Sequence, residues 1–126
     1  MDFQLAGLDH VALRVKDLER SATWYREVLG LQPMFEGAWG GVPIMLGIGG
    51  AVAIALFPAR DAERATSGDI EIDHFAFRAS RADFERARDS LGEKGVEVEF
   101  QDHEISHSIY FLDPDGHQLE ITTYDF

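Results

Sequence analysis

The sequence contains no cysteine among its 126 residues. This absence excludes a disulfide, a thiolate nucleophile and a zinc site with sulfur ligands. Any bound metal ion must therefore be held by histidine, aspartate or glutamate. The five histidines are the first candidates for ligands or for acid–base groups.

Positive charge is also scarce. Eleven Lys and Arg residues stand against 23 Asp and Glu residues, which gives a formal net charge of −12 at pH 7. Such an excess repels phosphate backbones and anionic membranes, so neither nucleic acid nor a membrane is expected as a partner. The sequence shows neither a signal-peptide pattern nor the roughly 20 apolar residues of a membrane span. We expect a cytoplasmic protein that binds a small molecule.

An internal repeat organises the chain. The segment Leu8–Arg14 (LDHVALR) recurs as Ile72–Arg78 (IDHFAFR), and both copies alternate like a strand. An amphipathic helix and short strands follow each copy, which predicts two βαβββ modules. We therefore predict an α+β fold in which an eight-stranded, cupped, barrel-like mixed sheet carries its helices outside. One domain is expected, with modules at residues 5–58 and 71–126 and a linker at residues 59–70.

Helix signals are clear in both modules. Asp17 is placed to cap a helix from Leu18 to Leu29, which Gly30 ends. Ser80 opens a second helix with a capping-box pattern. The glycine-rich segment at residues 47–50 lacks the lysine and following helix of a phosphate loop, and it is predicted to be a hairpin turn.

Three side chains form a candidate metal site. The repeat places a histidine at the same position in each module, His10 and His74, and Glu120 lies in the middle of the last predicted strand. A buried carboxylate needs a cationic partner, which is either an arginine such as Arg14 or Arg78 or a metal ion. Modules related by a pseudo-two-fold axis would bring the two histidines together with Glu120 as the third ligand. Two imidazoles and one carboxylate suit Fe(II), Mn(II), Ni(II) or Zn(II).

The chain resembles the vicinal oxygen chelate superfamily, which includes glyoxalase I, extradiol dioxygenases, fosfomycin-resistance proteins and bleomycin-binding proteins. The resemblance rests on the Asp-His strand starts, on Trp24-Tyr25, on Leu29-Gly30-Leu31, and on residues 110–120 (YFLDPDGHQLE). It implies that the family's metal ligands correspond to His10, His74 and Glu120.

The resemblance also implies the class of activity. We expect a divalent-metal-dependent enzyme that acts on a small oxygen-chelating substrate, with a site like that of extradiol dioxygenases or fosfomycin-resistance enzymes. The alternatives are a metal-free binding protein of the bleomycin-resistance kind and a lyase like glyoxalase I. Glyoxalase I has a glutamate where this chain has Ile54 or Ala55, and fosfomycin enzymes have a threonine at the position of Ala12. A homodimer is expected, whether the modules pair within one chain or exchange between two.

Catalytic candidates precede Glu120. Tyr110 lies ten residues before it, the spacing of a substrate-contacting tyrosine in both enzyme groups that the site resembles, although a half-buried strand also accommodates an aromatic residue. His103 and His107 flank the preceding loop, and either could carry a proton. We take Tyr110 and His107 as the catalytic pair.

Small side chains are expected to line the substrate cavity. Ala12 and Ala76 each follow a candidate metal histidine by two residues, on the same strand face. A third strand contributes a row of alanines, at positions 51, 53 and 55. Trp39 either flanks the ligand or pins a hairpin to the core.

Overall fold

The structure is a computed structural model that describes residues 8–59, 72 and 74–126. The chain divides into two compact units, residues 1–65 and 66–126. The predicted linker at residues 59–70 lies outside the described residues except at its first position.

The first unit is a βαβββ module. Its elements are β1 (Val11–Val15), α1 (Leu18–Leu29), β2 (Gln32–Met34), a short 3-10 turn (Ala38–Gly41), β3 (Ile44–Ile48) and β4 (Ala51–Pro58). The strands form one mixed sheet in the order β1-β4-β3-β2. Within it β1 is parallel to β4, and the other two pairs are antiparallel.

The second unit repeats this arrangement. Its elements are β5 (Phe75–Arg78), α2 (Arg81–Glu93), β6 (Glu99–Asp102), β7 (His107–Leu112) and β8 (Gln118–Thr123). The sheet order is β5-β8-β7-β6, again with one parallel and two antiparallel pairs. The predicted α+β class with two βαβββ modules is confirmed.

Helix α1 has the bounds that its capping residues predict. The Asp17 side chain accepts a hydrogen bond from the backbone N–H of Arg20 at 3.0 Å, which satisfies one of the free amides of the first turn. Gly30 ends the helix in the left-handed conformation, at φ 72°. Ala22 and Tyr25 are buried, so one face of α1 belongs to the core of the first unit.

Helix α2 is capped in the same way. The Ser80 hydroxyl accepts from the backbone N–H of Asp83 at 3.2 Å. The hydrogen bond from Arg86 to the Asp83 carboxylate, 2.7 Å long, and the charge of that guanidinium hold the pKa of Asp83 below its usual range. Phe84 and Leu91 are buried, and α2 contacts β8. Neither helix of the described chain is long and apolar enough to cross a membrane.

The structure shifts several predicted strand boundaries. Strands β1 and β5 begin one residue after His10 and His74, so each histidine immediately precedes its strand. Strand β3 continues to Ile48, which reduces the predicted four-residue turn to its last two glycines. The alternation of residues 96–100 predicts a strand there, but β6 begins only at Glu99. The backbone N–H of Val96 instead bonds to the Leu91 carbonyl at 2.9 Å and closes the end of α2.

The cap of α1 gives a test of local stability. Asp17→Ala should lower the free energy of unfolding by about 1 kcal/mol, because the Arg20 amide loses its acceptor. Asp17→Asn should stay close to the parent, since asparagine caps as well as aspartate does. Urea unfolding of the three proteins measures the difference. Equal losses in both variants would mean that the charge of Asp17, and not its hydrogen bond, stabilises the helix.

Candidate functional site

The second sheet has one polar and one apolar face. Alternation along β8 directs Glu120 and Thr122 to the face opposite Leu119 and Ile121, as predicted. The apolar face belongs to the side that α2 covers, where the rings of Phe84 and Phe100 lie 6.5 Å apart. The polar side chains of β8 therefore lie on the face away from α2.

Strand register surrounds Glu120 with residues from two neighbouring strands. Tyr110 of β7 is its cross-strand partner on one side, and Ala76 of β5 is its partner on the other. Ser108 pairs in the same way with Thr122. These five side chains share one face of the sheet.

The two carboxylate oxygens of Glu120 have different partners. Oε1 lies 3.0 Å from Nε2 of His74, and Oε2 accepts a hydrogen bond from the Ser108 hydroxyl at 2.5 Å. The Ser108 hydroxyl oxygen is also 2.9 Å from that of Thr122. Glu120 is only 8 % exposed and Ser108 is fully buried. A buried carboxylate in this setting is compensated by an imidazole and a hydroxyl.

Neither arginine that the sequence offered as a partner of Glu120 contacts it. The Arg14 guanidinium lies over the Phe57 ring at 5.0 Å and donates to the Pro58 carbonyl at 3.0 Å. The Arg78 guanidinium lies over the ring of Tyr124 at 5.3 Å. Among the described contacts, the partner of Glu120 that can carry a positive charge is His74.

Tyr110 lies between two histidines. Its ring meets that of His74 edge to face, with centroids 5.6 Å apart. Its hydroxyl is 3.0 Å from Nε2 of His103. Of the two candidate histidines that flank the loop before β7, His103 is therefore the one that contacts Tyr110.

His107 lies on the other face of the same strand. Its ring stacks on Phe126 at a centroid distance of 4.0 Å, and its Nε2 is 3.6 Å from an Asp102 carboxylate oxygen. The structure therefore does not bring His107 to Tyr110 or Glu120. The sequence contains the signal: His107 and Tyr110 are three residues apart, and an odd separation within a strand places two side chains on opposite faces.

His10 belongs to the first unit, where it forms a pair with its neighbour. Nδ1 of its imidazole is 2.8 Å from Oδ2 of Asp9. An ionised carboxylate can only accept, so the proton lies on Nδ1. In the neutral ring, Nε2 then presents a lone pair. Metal-bound histidines have this arrangement, in which a carboxylate orients the ring through its other nitrogen.

The donors in the second unit fit a divalent ion. Bonds of about 2.0–2.2 Å from a metal ion to nitrogen and oxygen, at right angles, separate the two donor atoms by about 3 Å. Nε2 of His74 and Oε1 of Glu120 have that separation. Within residues 8–59, 72 and 74–126, no three histidine or carboxylate side chains converge into a metal site. The structure thus joins two of the three predicted ligands, and His10 is described in the other unit.

The first unit has no carboxylate at the position equivalent to Glu120. The repeat aligns Ala12 with Ala76, and β4 pairs Ala12 with Ala55 where β8 pairs Ala76 with Glu120. Of the two residues that the sequence left open, Ala55 is therefore the equivalent one. Met45 stands opposite Ala55, at the place of Tyr110 in the second unit.

Trp39 is not pinned to a core. It is 62 % exposed, and its ring meets that of Phe35 edge to face at 6.1 Å. Phe35 also borders a cavity of about 260 Å³ in the first unit, between α1 and the segment that leads into β3. Arg26 and Met45 line the same cavity.

The chain is similar in sequence to known proteins over most of its length. The sequence profile described as the Glyoxalase/Bleomycin resistance protein/Dioxygenase superfamily matches residues 7–121. The glutathione transferase FosA of Serratia marcescens is 33 % identical over 117 residues, which cover 93 % of this chain and 80 % of that protein. The metallothiol transferase FosB of Staphylococcus epidermidis is 32 % identical over 122 residues, which cover 94 % and 84 %.

Solved structures show the same fold. An integron cassette protein from the Halifax Harbour sewage outfall superposes with a TM-score of 0.74 at 30 % identity, covering 94 % of this chain and 99 % of its own. The fosfomycin resistance protein FosX of Mesorhizobium loti superposes with a TM-score of 0.67 at 26 % identity, covering 95 % and 93 %.

The pair formed by His74 and Glu120 gives a direct test of metal binding. We expect His74→Ala and Glu120→Gln each to weaken Zn(II) or Mn(II) binding strongly, because each variant removes a donor atom from the 3.0 Å pair. Elemental analysis and calorimetric titration of metal-stripped protein measure the effect. Arg78→Gln is a control, since Arg78 lies on the same strand face but contacts Tyr124. Stoichiometric metal binding by a variant that carries both substitutions would exclude His74 and Glu120 as ligands.

Proposed function

Because the chain belongs to the glyoxalase/bleomycin resistance protein/dioxygenase superfamily, we propose that it is a divalent-metal-dependent transferase that joins a thiol to a small molecule with two adjacent oxygen atoms. The observation that carries this proposal is the buried Glu120 carboxylate, 3.0 Å from the His74 imidazole on the polar face of the second sheet. A protein that only shelters an apolar ligand gains nothing from burying such a pair.

The proposed metal ligands are His10, His74 and Glu120. The Asp9 contact supports His10, because it directs the Nε2 lone pair away from the carboxylate. Fe(II), Mn(II), Ni(II) and Zn(II) all accept this donor set. When bound, such an ion supplies Lewis acidity to a chelating substrate oxygen. His10 comes from the first unit of the same chain or of a second chain in the homodimer that the sequence predicts.

Names of relatives favour thiol transfer over the other reactions of the superfamily. FosA is named a glutathione transferase and FosB a metallothiol transferase. A plant relative named glyoxylase I is 28 % identical, but Ala55 occupies the position where the resemblance to glyoxalase I requires a glutamate. Transfer is therefore the reaction that we propose, in preference to lyase or dioxygenase chemistry.

The proposed reaction forms one bond and breaks another. The thiol sulfur bonds to a substrate carbon, a carbon–oxygen bond of the substrate breaks, and the thiol proton ends on the released oxygen. Tyr110 is the residue of this chain that we propose to handle that proton, with His103 behind it at 3.0 Å. His103 thus replaces His107, which faces away from Tyr110, as the histidine of the catalytic pair.

We propose that the substrate differs from fosfomycin in the chemical group that lies near Ala12. The fosfomycin enzymes that this chain resembles have a threonine there, whereas alanine offers no hydroxyl. Ala12 and Ala76 are both exposed small residues next to the histidine ends of their strands. The net charge of −12 disfavours a highly phosphorylated substrate. The small side chains and the negative net charge favour a compact substrate that is neutral or weakly anionic.

His103 and His107, which lie at the two ends of the loop before Tyr110, give a matched kinetic test. Tyr110→Phe and His103→Ala should each lower kcat by roughly 10²-fold, because both remove a member of the proposed proton route. His107→Ala should leave kcat close to that of the parent. Consumption of glutathione with fosfomycin, and then with other small oxygen-rich electrophiles, provides the assay. A larger loss in His107→Ala than in His103→Ala would reverse the assignment.

The space beside Glu120 can be tested separately from the metal. Ala76→Phe should abolish binding of the small-molecule substrate and leave metal content unchanged, because the new ring stands next to Glu120 on the same sheet face. Ala82→Phe, on an exposed position of α2, is the control. Calorimetric titration of metal-loaded proteins compares the three. Parent-like substrate binding by Ala76→Phe would locate the substrate elsewhere.

A further inference from the structure

The two oxygens of Glu120 are not equivalent, and the difference bears on how the residue binds a metal ion. We infer that Ser108, supported by Thr122, is a positioning residue that occupies Oε2 of Glu120, so that Oε1 alone is presented as a metal ligand. This inference rests on the proposed metal site and goes beyond it, because it fixes how many oxygens Glu120 contributes.

The hydrogen-bond geometry gives the direction of the contact. A serine hydroxyl has one hydrogen, and an ionised carboxylate can only accept, so the 2.5 Å contact is a donation from Ser108 to Oε2 of Glu120. The Ser108 oxygen can then accept from the Thr122 hydroxyl, 2.9 Å away. The other acceptor near that hydroxyl, the His107 carbonyl, is more distant at 3.3 Å.

Burial strengthens the hydrogen bonds that link Thr122, Ser108 and Glu120. Ser108 is fully buried, and Glu120 and Thr122 are each 8 % exposed. Bulk water is therefore a poor competitor for Oε2, and a hydrogen bond to a charged acceptor is strong in such surroundings. Adjacent strands in fixed register hold the groups, with Ser108 opposite Thr122 and Tyr110 opposite Glu120.

The contact also selects the rotation of the carboxylate. With Oε2 held by Ser108, Oε1 is the oxygen on the side of His74, at 3.0 Å from Nε2. A carboxylate that lost the Ser108 bond could turn and bind a metal ion through both oxygens. Residues that orient a metal ligand in this way typically contribute 10–100-fold to metal affinity.

Calorimetric titration of the metal-stripped protein with Zn(II) tests the inference. Ser108→Ala should bind Zn(II) roughly 10–100-fold more weakly than the parent. Thr122→Val keeps the side-chain shape and the Ser108 hydroxyl, so it should weaken binding by a smaller factor. Ser106→Ala, at another buried serine that is not a partner of Glu120 in the described contacts, should bind like the parent.

The absorption spectrum of bound Co(II) reports the coordination directly. In Ser108→Ala the visible bands should weaken, because a second carboxylate oxygen raises the coordination number, and in Ser106→Ala they should match the parent. Circular dichroism of each variant verifies that the fold is retained. If Ser108→Ala unfolds, the other two variants still test the inference, because Thr122→Val should bind Zn(II) more weakly than Ser106→Ala.

The outcomes separate this inference from the proposed function. If Glu120→Gln loses Zn(II) while Ser108→Ala keeps the parent affinity and the parent Co(II) spectrum, the positioning role is wrong and the metal site stands. Equal weakening in Ser106→Ala and Ser108→Ala would also overturn it, as a general packing effect. If Glu120→Gln binds Zn(II) like the parent, Glu120 is not a ligand, and both the metal site and the positioning role fail.

Discussion

Burying the carboxylate of Glu120 is the constraint on which the second unit depends. A charge that leaves water must be compensated by neighbouring groups, or it destabilises the fold by several kcal/mol. Here the compensation comes from His74, which precedes β5, and from Ser108 on β7. A slip of one residue in β8 would turn the carboxylate toward the apolar side that α2 covers. The chemistry of the site and the strand register therefore stabilise the same arrangement.

Much of the fold could be predicted because it is encoded locally. The repeated Asp-His segment, the capping residues Asp17 and Ser80, and the αL glycine at position 30 act on their own neighbours in sequence. The face of Glu120 follows from alternation within one strand. These signals do not depend on knowing which strands are adjacent. They were sufficient to predict the two modules, both helices and the face of the sheet to which Glu120 points.

The composition of the site was less accessible from the sequence, because it depends on pairing between strands. Ser108 becomes a partner of Glu120 only when β7 and β8 are aligned in one register. Two histidines near Tyr110 looked equally suitable, yet the turn before β7 leaves His103 on the side of the tyrosine and His107 against Phe126. The metal-ligand roles of His10, His74 and Glu120, and the dimer, remain predictions from the sequence.

The two modules share a backbone plan, but they differ at the sheet positions that Glu120 and Tyr110 occupy in the second unit. At equivalent sheet positions the first unit has Ala55 and Met45, where the second has Glu120 and Tyr110. At these two positions the first sheet has only packing to satisfy, and apolar side chains of similar volume can exchange there with small loss. The second must satisfy packing and hydrogen bonding together, and few replacements do both. Mutational tolerance at these equivalent positions is thus unequal between two halves that have the same topology.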